Sequence, residues 1–318
     1  MNILLTGAFG NVGQSTLDAL LERGHSVRCF DVPTRANLKT AARYRGKIDV
    51  YWGDLRQPAD IAGAVQDRDA VIHLAFVIPR LSATGVNSED QPDFARSINV
   101  GGTRNLVEAL QALPHPPRLV FASSLHIYGK TQHLPPPRTA GEVPHPVEHY
   151  AQHKLEAEQL VRESGLEWAI LRLGAALPLR LIIDPGMFDV PLDNRIEFIH
   201  TRDAGQAFAR AVENSQVWGR TLLVGGGPRC QLYYREMMSR VLTAMGIGPL
   251  PERAFAHEPF ATDWLDTQES QALLGYQQRT FEDYTQDLRR TLGSLRWLVL
   301  AARPLVQRWL LAHSPYWR

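Results

Sequence analysis

Short apolar runs alternate with amphipathic stretches over the first 173 residues of the chain. The runs have the length of buried strands and lie at residues 2–6, 26–31, 48–52, 70–75, 118–123 and 168–173. Between them, apolar positions recur with helical spacing at residues 12–23, 58–67, 95–113 and 149–164. This alternation predicts an α/β fold: a Rossmann-type doubly wound parallel sheet, with a small C-terminal substrate-binding part.

The first predicted strand leads into a glycine-rich turn, MNILLTGAFGNVG. In a dinucleotide-binding turn, Gly7 would permit the sharp bend, Gly10 would let the backbone approach a pyrophosphate, and Gly13 would let the helix pack on the strand. The phosphates would lie at the helix N-terminus, whose free N–H groups attract anions. A plain strand-to-helix turn is the alternative. The cofactor-binding residues predicted here are Gly7, Phe9, Gly10, Asn11, Val12 and Gly13.

The second predicted strand ends in Asp31, 18 residues after Gly13. A carboxylate at this spacing binds the ribose hydroxyls of the adenosine and repels a 2′-phosphate. It therefore favours NAD as the cofactor over NADP. Arg35 keeps NADP open as the lesser alternative, and a turn or capping role for Asp31 is the other.

Tyr150 and Lys154 are four residues apart on a predicted helix, so they share one face. A phenol titrates near ~10, too high for a base at neutral pH, and a neighbouring ammonium would lower its pKa. Ser123 ends the fifth predicted strand and Ser124 follows it, at a position where a hydroxyl can hold a substrate oxygen. The set suits proton transfer at an alcohol or ketone while a nicotinamide exchanges a hydride.

These motifs together resemble those of the short-chain dehydrogenase/reductase superfamily. The chain is more narrowly similar to its extended branch, the epimerase/dehydratase family, which includes nucleotide-sugar epimerases and dehydratases. The resemblance covers roughly residues 2–285. It depends on TGAFGNVG, HLA at 73–75, GGTRNL after Asn99, FASSLHIYG, Tyr150-x-x-x-Lys154, LRLG at 171–174, IHTRDAGQAFARA at 199–211 and LLGY at 273–276.

The resemblance implies roles for individual residues. Tyr150 would be the acid/base, Lys154 its tuner and a ribose ligand, and Ser124 the serine that acts on the substrate, with Ser123 its structural neighbour. Asn99 would bend its helix and organise water. The implied catalytic set is therefore Ser124, Tyr150, Lys154 and Asn99. Besides the glycine turn, the implied cofactor-binding residues are Asp31, Asp54 at the adenine end, Leu55, Leu74, Ala75 in the cleft, Ser123, Tyr150 and Lys154.

Two departures from the family pattern limit the expected reaction. The sugar dehydratases carry an Asp-Glu pair after the catalytic Ser/Thr, where this chain has Leu125 and His126, so dehydration is not expected. Residues 174–194 are short for the segment that helps form the sugar-nucleotide pocket, and they lack its Gly-Pro. We therefore expect NAD-dependent oxidoreduction of a secondary alcohol or ketone. A nucleotide-sugar epimerase, such as a 4-epimerase, and a non-catalytic NAD-binding regulatory protein are the alternatives.

Composition narrows the partners further. The 318 residues are 44% hydrophobic, which is ordinary for a globular protein, and the net charge of +1 does not indicate a nucleic-acid partner. Two cysteines give no disulfide framework, and no metal site is expected. No signal-peptide pattern precedes the first strand, so a cytoplasmic location is expected. Arg80, in the loop 76–93, and Arg180 are candidates to hold an anionic substrate group, with ordinary solvated arginines as the alternative.

The sequence divides into three parts. Residues 1–173 form the predicted NAD-binding core, and 174–290 are a mixed segment that completes this core and forms the substrate part. Residues 291–318 form an amphipathic tail whose Arg296, Arg303 and Gln307 share one helical stripe opposite a broad apolar face. This face could pack on the protein itself, on a second subunit of a homodimer, or on a membrane surface.

Overall fold

A computed structural model describes residues 1–79 and 85–317 of the chain. Arg80 and the residues that follow it to position 84 lie outside the described residues, so the expectation for Arg80 is not addressed by the structure.

Within the described residues, seven strands form one parallel sheet and two further strands form a small antiparallel sheet. The order in the large sheet is β3-β2-β1-β4-β5-β6-β8, and β7 pairs with β9. The strands are β1 (Asn2–Thr6), β2 (Ser26–Asp31), β3 (Asp49–Trp52), β4 (Ala70–His73), β5 (Arg118–Ser124), β6 (Trp168–Leu173), β7 (Arg195–Glu197), β8 (Thr221–Val224) and β9 (Gln231–Tyr233). The chain reverses its direction of progress across the sheet between β1 and β4, which is where doubly wound folds bind ligands.

The helices of the described residues either cover the two faces of this sheet or pack on a separate apolar cluster beside it. They are α1 (Asn11–Glu22), α2 (Arg35–Ala41), α3 (Pro58–Ala64), α4 (Pro92–Arg96), α5 (Gly102–Gln111), α6 (His149–Arg162), α7 (Thr201–Ala211), α8 (Tyr234–Met245), α9 (Gln268–Leu274), α10 (Phe281–Leu292), α11 (Ser294–Ala301) and α12 (Arg303–Ala312). Two apolar clusters fill the space between the sheet and the helices that cover it, one on each face, whereas α8, α10, α11 and α12 pack on the separate cluster. The predicted Rossmann-type parallel sheet is confirmed.

The boundaries differ from the sequence prediction in instructive places. The predicted strand at 70–75 ends at His73, because Ala75 turns to donate its N–H to the Thr6 hydroxyl. The predicted helix at 95–113 is divided into α4 and α5 by a π-helical turn, Ser97–Gly101. The predicted helix at 58–67 ends earlier, before Asp67, whose φ of 60° is left-handed.

The segment after β6 contributes to two bodies. Strand β8 pairs with β6 and extends the large sheet, with Ile170 opposite Thr221. A third apolar cluster lies outside the sheet and contains residues of β7, β9, α8 and α10, together with Phe198, whose ring contacts that of Tyr284. Helices α11 and α12 add Val299 and Leu310 to this cluster. Among the described residues, no helix has the length and apolar character needed to cross a membrane.

Candidate active site and cofactor cleft

The glycine turn after β1 is packed so closely that side chains are excluded. Gly7 has a φ of 66°, and a Cβ there would lie 2.7 Å from the backbone nitrogen of Ala75. A Cβ on Gly13 would lie 2.1 Å from the carbonyl oxygen of Gly7. The turn is therefore pressed against both its own helix and the segment that directly follows β4, as a dinucleotide cleft requires.

The N-terminus of α1 opens toward this turn. The helix begins after Gly10, and among the described residues no side chain caps its first N–H groups. Phe9 has little exposed surface and packs against Trp52 with ring centroids 5.5 Å apart. An uncapped helix N-terminus above a glycine turn is a suitable site for a pyrophosphate.

Asp31 lies at the end of β2, beside the turn, as predicted. Its Oδ2 accepts a hydrogen bond from the Phe9 N–H at 3.0 Å, and its Oδ1 accepts from the N–H of Val32 at 2.9 Å and from the Asn37 amide at 3.0 Å. Burial raises the pKa of Asp31, and the bonds from Phe9 and Val32 oppose that rise. Asn37, a buried residue near the start of α2, is a neighbour that sequence reasoning missed.

Asp54 and Leu55 follow β3 but have different surroundings. The Asp54 carboxylate forms an ion pair with Arg56 at 2.5 Å, which lowers the pKa of Asp54. Leu55 is buried against Gly102, and its carbonyl oxygen accepts a hydrogen bond from Asn105. Leu55 therefore joins α5 to the strand, in addition to any contact with a cofactor.

The end of β5 and the start of α6 bring Ser124, Tyr150 and Lys154 together. Ser124 lies next to Tyr150, and its hydroxyl accepts a hydrogen bond from the His126 N–H at 3.3 Å. Lys154 is buried, and its Nζ donates to the Ala122 carbonyl oxygen at 2.5 Å. Ser123 is also buried at the end of β5.

The ammonium of Lys154 is directed toward aromatic rings. Its Nζ lies 3.5 Å from the centre of the Phe76 ring and 5.8 Å from the centre of the Tyr150 ring. Phe76 also packs edge-on against Tyr150, with centroids 5.9 Å apart. Phe76 follows the HLA motif directly and is a further site residue that the sequence analysis did not single out.

The titration of the pair differs from the sequence expectation. Burial raises the pKa of Tyr150 to about 12; the neighbouring Ser124 lowers it and Glu148 raises it further. Burial likewise lowers the pKa of Lys154 to about 7, against the opposing effect of Glu158. The expected lowering of the phenol pKa by Lys154 is therefore not found in the protein alone, because burial of the phenol dominates.

Asn99 lies in the π-helical turn, completely buried. Its Oδ1 accepts from the Val77 N–H at 2.6 Å, and its Nδ2 donates to the Val77 carbonyl oxygen at 2.9 Å. The side chain thus replaces a strand partner for Val77, just beyond β4. Asn99 therefore connects the π-helical turn to the segment that follows β4 and contains Leu74 and Ala75.

Two acidic residues near the site, Glu89 and Glu148, belong to none of the motifs found in the sequence. The Glu89 carboxylate accepts hydrogen bonds from the N–H groups of His149 at 3.0 Å and Tyr150 at 2.9 Å, so it caps α6. Glu148 forms an ion pair with His126 at 2.8 Å, and the His126 ring packs edge-on against Tyr150. The sequence has no acid/base pair directly after Ser124, but the fold supplies a carboxylate to His126 from Glu148, the residue that precedes α6.

The match to a known protein family covers nearly the same residues as the predicted NAD-binding core. Residues 3–177, more than half of the chain, match the model of the NAD dependent epimerase/dehydratase family. The chain is 36% identical over 109 residues to a 3-beta-hydroxysteroid dehydrogenase of Mycolicibacterium neoaurum, which is 34% of this chain and 28% of that protein. It is 30% identical over 189 residues to a D-erythronate dehydrogenase of Cupriavidus necator, 54% of each chain. The chain thus matches about half or less of the length of these relatives.

A solved structure resembles the whole fold. The UDP-glucuronic acid 4-epimerase of Bacillus cereus, in complex with UDP-glucuronic acid and NAD, superposes with a TM-score of 0.75 at 20% identity. The alignment covers 93% of this chain and all of that one. The similarity therefore extends beyond β6 into the C-terminal part.

Proposed function

Because the chain belongs to the NAD-dependent epimerase/dehydratase family, we propose that it binds NAD and catalyses oxidoreduction at a secondary alcohol or ketone of a small molecule. The observation that carries this proposal is the convergence of Ser124, Tyr150 and Lys154 at the end of β5. A protein that only binds a nucleotide has no need of this proton-transfer set.

The cleft residues fit a dinucleotide. The uncapped N-terminus of α1 would hold the pyrophosphate above Gly7 and Gly10, and Asp31 would accept bonds from the adenosine ribose. Asp31 opposes a 2′-phosphate, which supports NAD over NADP. When bound, NAD would supply the group that accepts or donates the hydride.

The chain's own residues would handle the proton. With a pKa of about 12, Tyr150 carries its proton at neutral pH and can donate it to the oxygen of a ketone. Ser124, next to the phenol, would hold the same oxygen by a hydrogen bond. To donate a hydrogen bond to a ribose hydroxyl, the ammonium of Lys154 would have to move away from the Phe76 ring that it contacts.

Epimerisation of a nucleotide sugar is the second candidate, and the fold-wide likeness to a 4-epimerase supports it. It would use the same set in two successive half-reactions, with the cofactor regenerated in place. A non-catalytic NAD-binding role is the third candidate, and the intact set of Ser124, Tyr150 and Lys154 counts against it.

A direct experiment separates these candidates. The purified protein is denatured and any released nucleotide is identified by mass spectrometry. The native protein is then assayed with NAD and a 3β-hydroxysteroid, D-erythronate or UDP-glucuronic acid. Formation of NADH supports the dehydrogenase; a new sugar epimer without net NADH, from protein that retains NAD, supports the epimerase. Binding of NAD without turnover of a broad panel of alcohols and ketones would favour the regulatory role.

A further inference from the structure

The tail helices α11 and α12 turn their polar stripe inward. Arg296 donates from Nε to the carbonyl oxygen of Ala244 at 3.0 Å, at the end of α8. Gln307 donates from Nε2 to the carbonyl oxygen of Ile247 at 2.8 Å and to that of Pro249 at 3.3 Å. Polar side chains that would normally face solvent therefore donate hydrogen bonds to backbone carbonyl oxygens of the protein.

The opposite, apolar side of these helices is consequently exposed. Leu305 is 72% exposed, Leu298 67%, Trp297 63% and Trp309 45%. Scattered exposed apolar residues are normal in soluble proteins, but a cluster of large ones on two successive helices marks a contact surface. Val299 and Leu310 of the same helices are buried, so both helices are packed on the protein. The exposed apolar side chains therefore belong to packed helices and not to a detached chain end.

The charge of the tail restricts the chemistry of the partner. Residues 291–318 contain four arginines and no aspartate or glutamate. Arg296 is directed toward α8, whereas Arg308 is exposed and lies on α12 between Leu305 and Trp309, so Arg308 supplies positive charge on the exposed side. A partner for this surface must accept both large apolar side chains and positive charge.

We propose that the surface formed by Trp297, Leu298, Leu305, Arg308 and Trp309, here named the tail face, binds an anionic lipid surface. Tryptophan and leucine would enter the boundary between headgroups and acyl chains, while arginine would pair with lipid phosphates. The helices would lie along the membrane surface. The cofactor cleft is formed by other elements, so the proposal does not depend on the reaction catalysed.

Vesicle binding by the full-length protein tests the proposal. We expect the protein to sediment with vesicles of phosphatidylcholine mixed with phosphatidylglycerol and much less with phosphatidylcholine alone. The double substitution Leu298→Gln with Leu305→Gln should weaken this binding by on the order of 10-fold or more, since each leucine loses its burial in the lipid. Arg308→Gln should weaken binding to the anionic vesicles only.

Val143→Gln is the matched control, because Val143 is 71% exposed on a different part of the molecule and should leave vesicle binding unchanged. All substituted side chains are exposed, so unaltered thermal unfolding is expected. Absence of binding to anionic vesicles, or equal binding by the double variant, would refute the proposal. A lipid-independent dimer that the double variant dissociates, without vesicle binding, would instead assign the tail face to a second copy of the chain.

Discussion

At the scale of single residues, Tyr150 is the side chain on which the proposed chemistry depends most. Tyr150→Phe keeps the ring contacts with Phe76 and His126 but removes the proton, so we expect turnover to fall by ~100-fold or more. Affinity for NAD, measured by calorimetry, should change little. Tyr233→Phe is the control, because Tyr233 is 50% exposed and distant in sequence from the site. Full activity of Tyr150→Phe on an identified substrate would refute the proposed role.

We expect the buried Lys154 to lower the free energy of unfolding of the protein. Its pKa is about 7 in the folded protein and 10.5 ordinarily, so the folded state binds fewer protons than the unfolded state between these values. Stability should therefore rise with pH across this window and be lowest below about pH 7. Lys154→Met should raise the free energy of unfolding near neutral pH by at least about 1 kcal/mol, and less at about pH 10, because the methionine requires no deprotonation.

Denaturant unfolding at several pH values measures this effect. Lys39→Met, a substitution of an exposed lysine on α2, is the control and should leave the pH dependence of stability unchanged. If Lys154→Met destabilised the protein equally at all pH values, the ammonium would be fully solvated or paired, and the argument from burial would be wrong.

Residue by residue, the site could be predicted only where local sequence determines geometry. Gly7, Gly13 and Asp31 follow from a strand, a turn and a spacing, and the structure places them together. Glu89 and Phe76 could not be found in this way, because their roles depend on where a loop and the end of a strand meet α6. The same applies to the titration of Tyr150 and Lys154, since burial is a property of the assembled fold.

At the scale of elements, the interrupted helix of α4 and α5 shows what tertiary contact adds to periodicity. The sequence predicts one continuous helix, and the π-helical turn at Ser97–Gly101 appears where Asn99 reaches the backbone of Val77. Helical spacing cannot reveal this, because the partner of the bend is a strand extension 22 residues away. By contrast, β1, β4, β5 and β6 are predictable, since each is an apolar run buried on both faces over most of its length.

Removal of the Asn99 side chain tests this connection. Asn99→Ala leaves the N–H and the carbonyl oxygen of buried Val77 without partners, so we expect a loss of roughly 2–4 kcal/mol in the free energy of unfolding. Asn105→Ala on α5 removes a single hydrogen bond, to Leu55, and should cost about 1 kcal/mol. Equal losses in the two variants would show that the two hydrogen bonds to Val77 contribute no more to the free energy of unfolding than the single bond to Leu55.

At the scale of the whole molecule, the large sheet and the third apolar cluster meet at β7. Ala175, after β6, forms an isolated bridge with Phe198, which follows β7. Beyond this bridge, Ile199 joins the first apolar cluster, whereas Leu177 and Leu179 pack against the third. The sequence predicted a mixed C-terminal segment without resolving these parts, because three-residue strands such as β7 and β9 have too little periodicity to be recognised. Their pairing is stabilised by contacts between segments far apart in the chain.

Glu197, at the end of β7, is completely buried in this junction. Its carboxyl oxygens accept hydrogen bonds from the N–H groups of Gly227 at 2.8 Å and Leu265 at 3.2 Å, and its side chain leaves no room for a Cβ on Gly225. Burial nevertheless raises its pKa to about 8, against these two bonds. The folded protein therefore holds a proton on Glu197 at neutral pH that the unfolded chain has lost.

The sign of the resulting pH dependence is opposite to that of Lys154. Between the ordinary pKa of 4.5 and the folded value of about 8, the folded state binds more protons, so the contribution of Glu197 to stability is present at low pH and is lost as the pH rises through this window. Glu197→Gln cannot titrate and should abolish that part of the slope, even if loss of one N–H acceptor lowers stability overall. Denaturant unfolding at about pH 5, 6.5 and 8 measures the slope, with Glu258→Gln, an exposed carboxyl, as the control. A slope that is the same in the wild type and in Glu197→Gln would mean that Glu197 stays ionised in the junction, with the bonds from Gly227 and Leu265 outweighing the cost of burial.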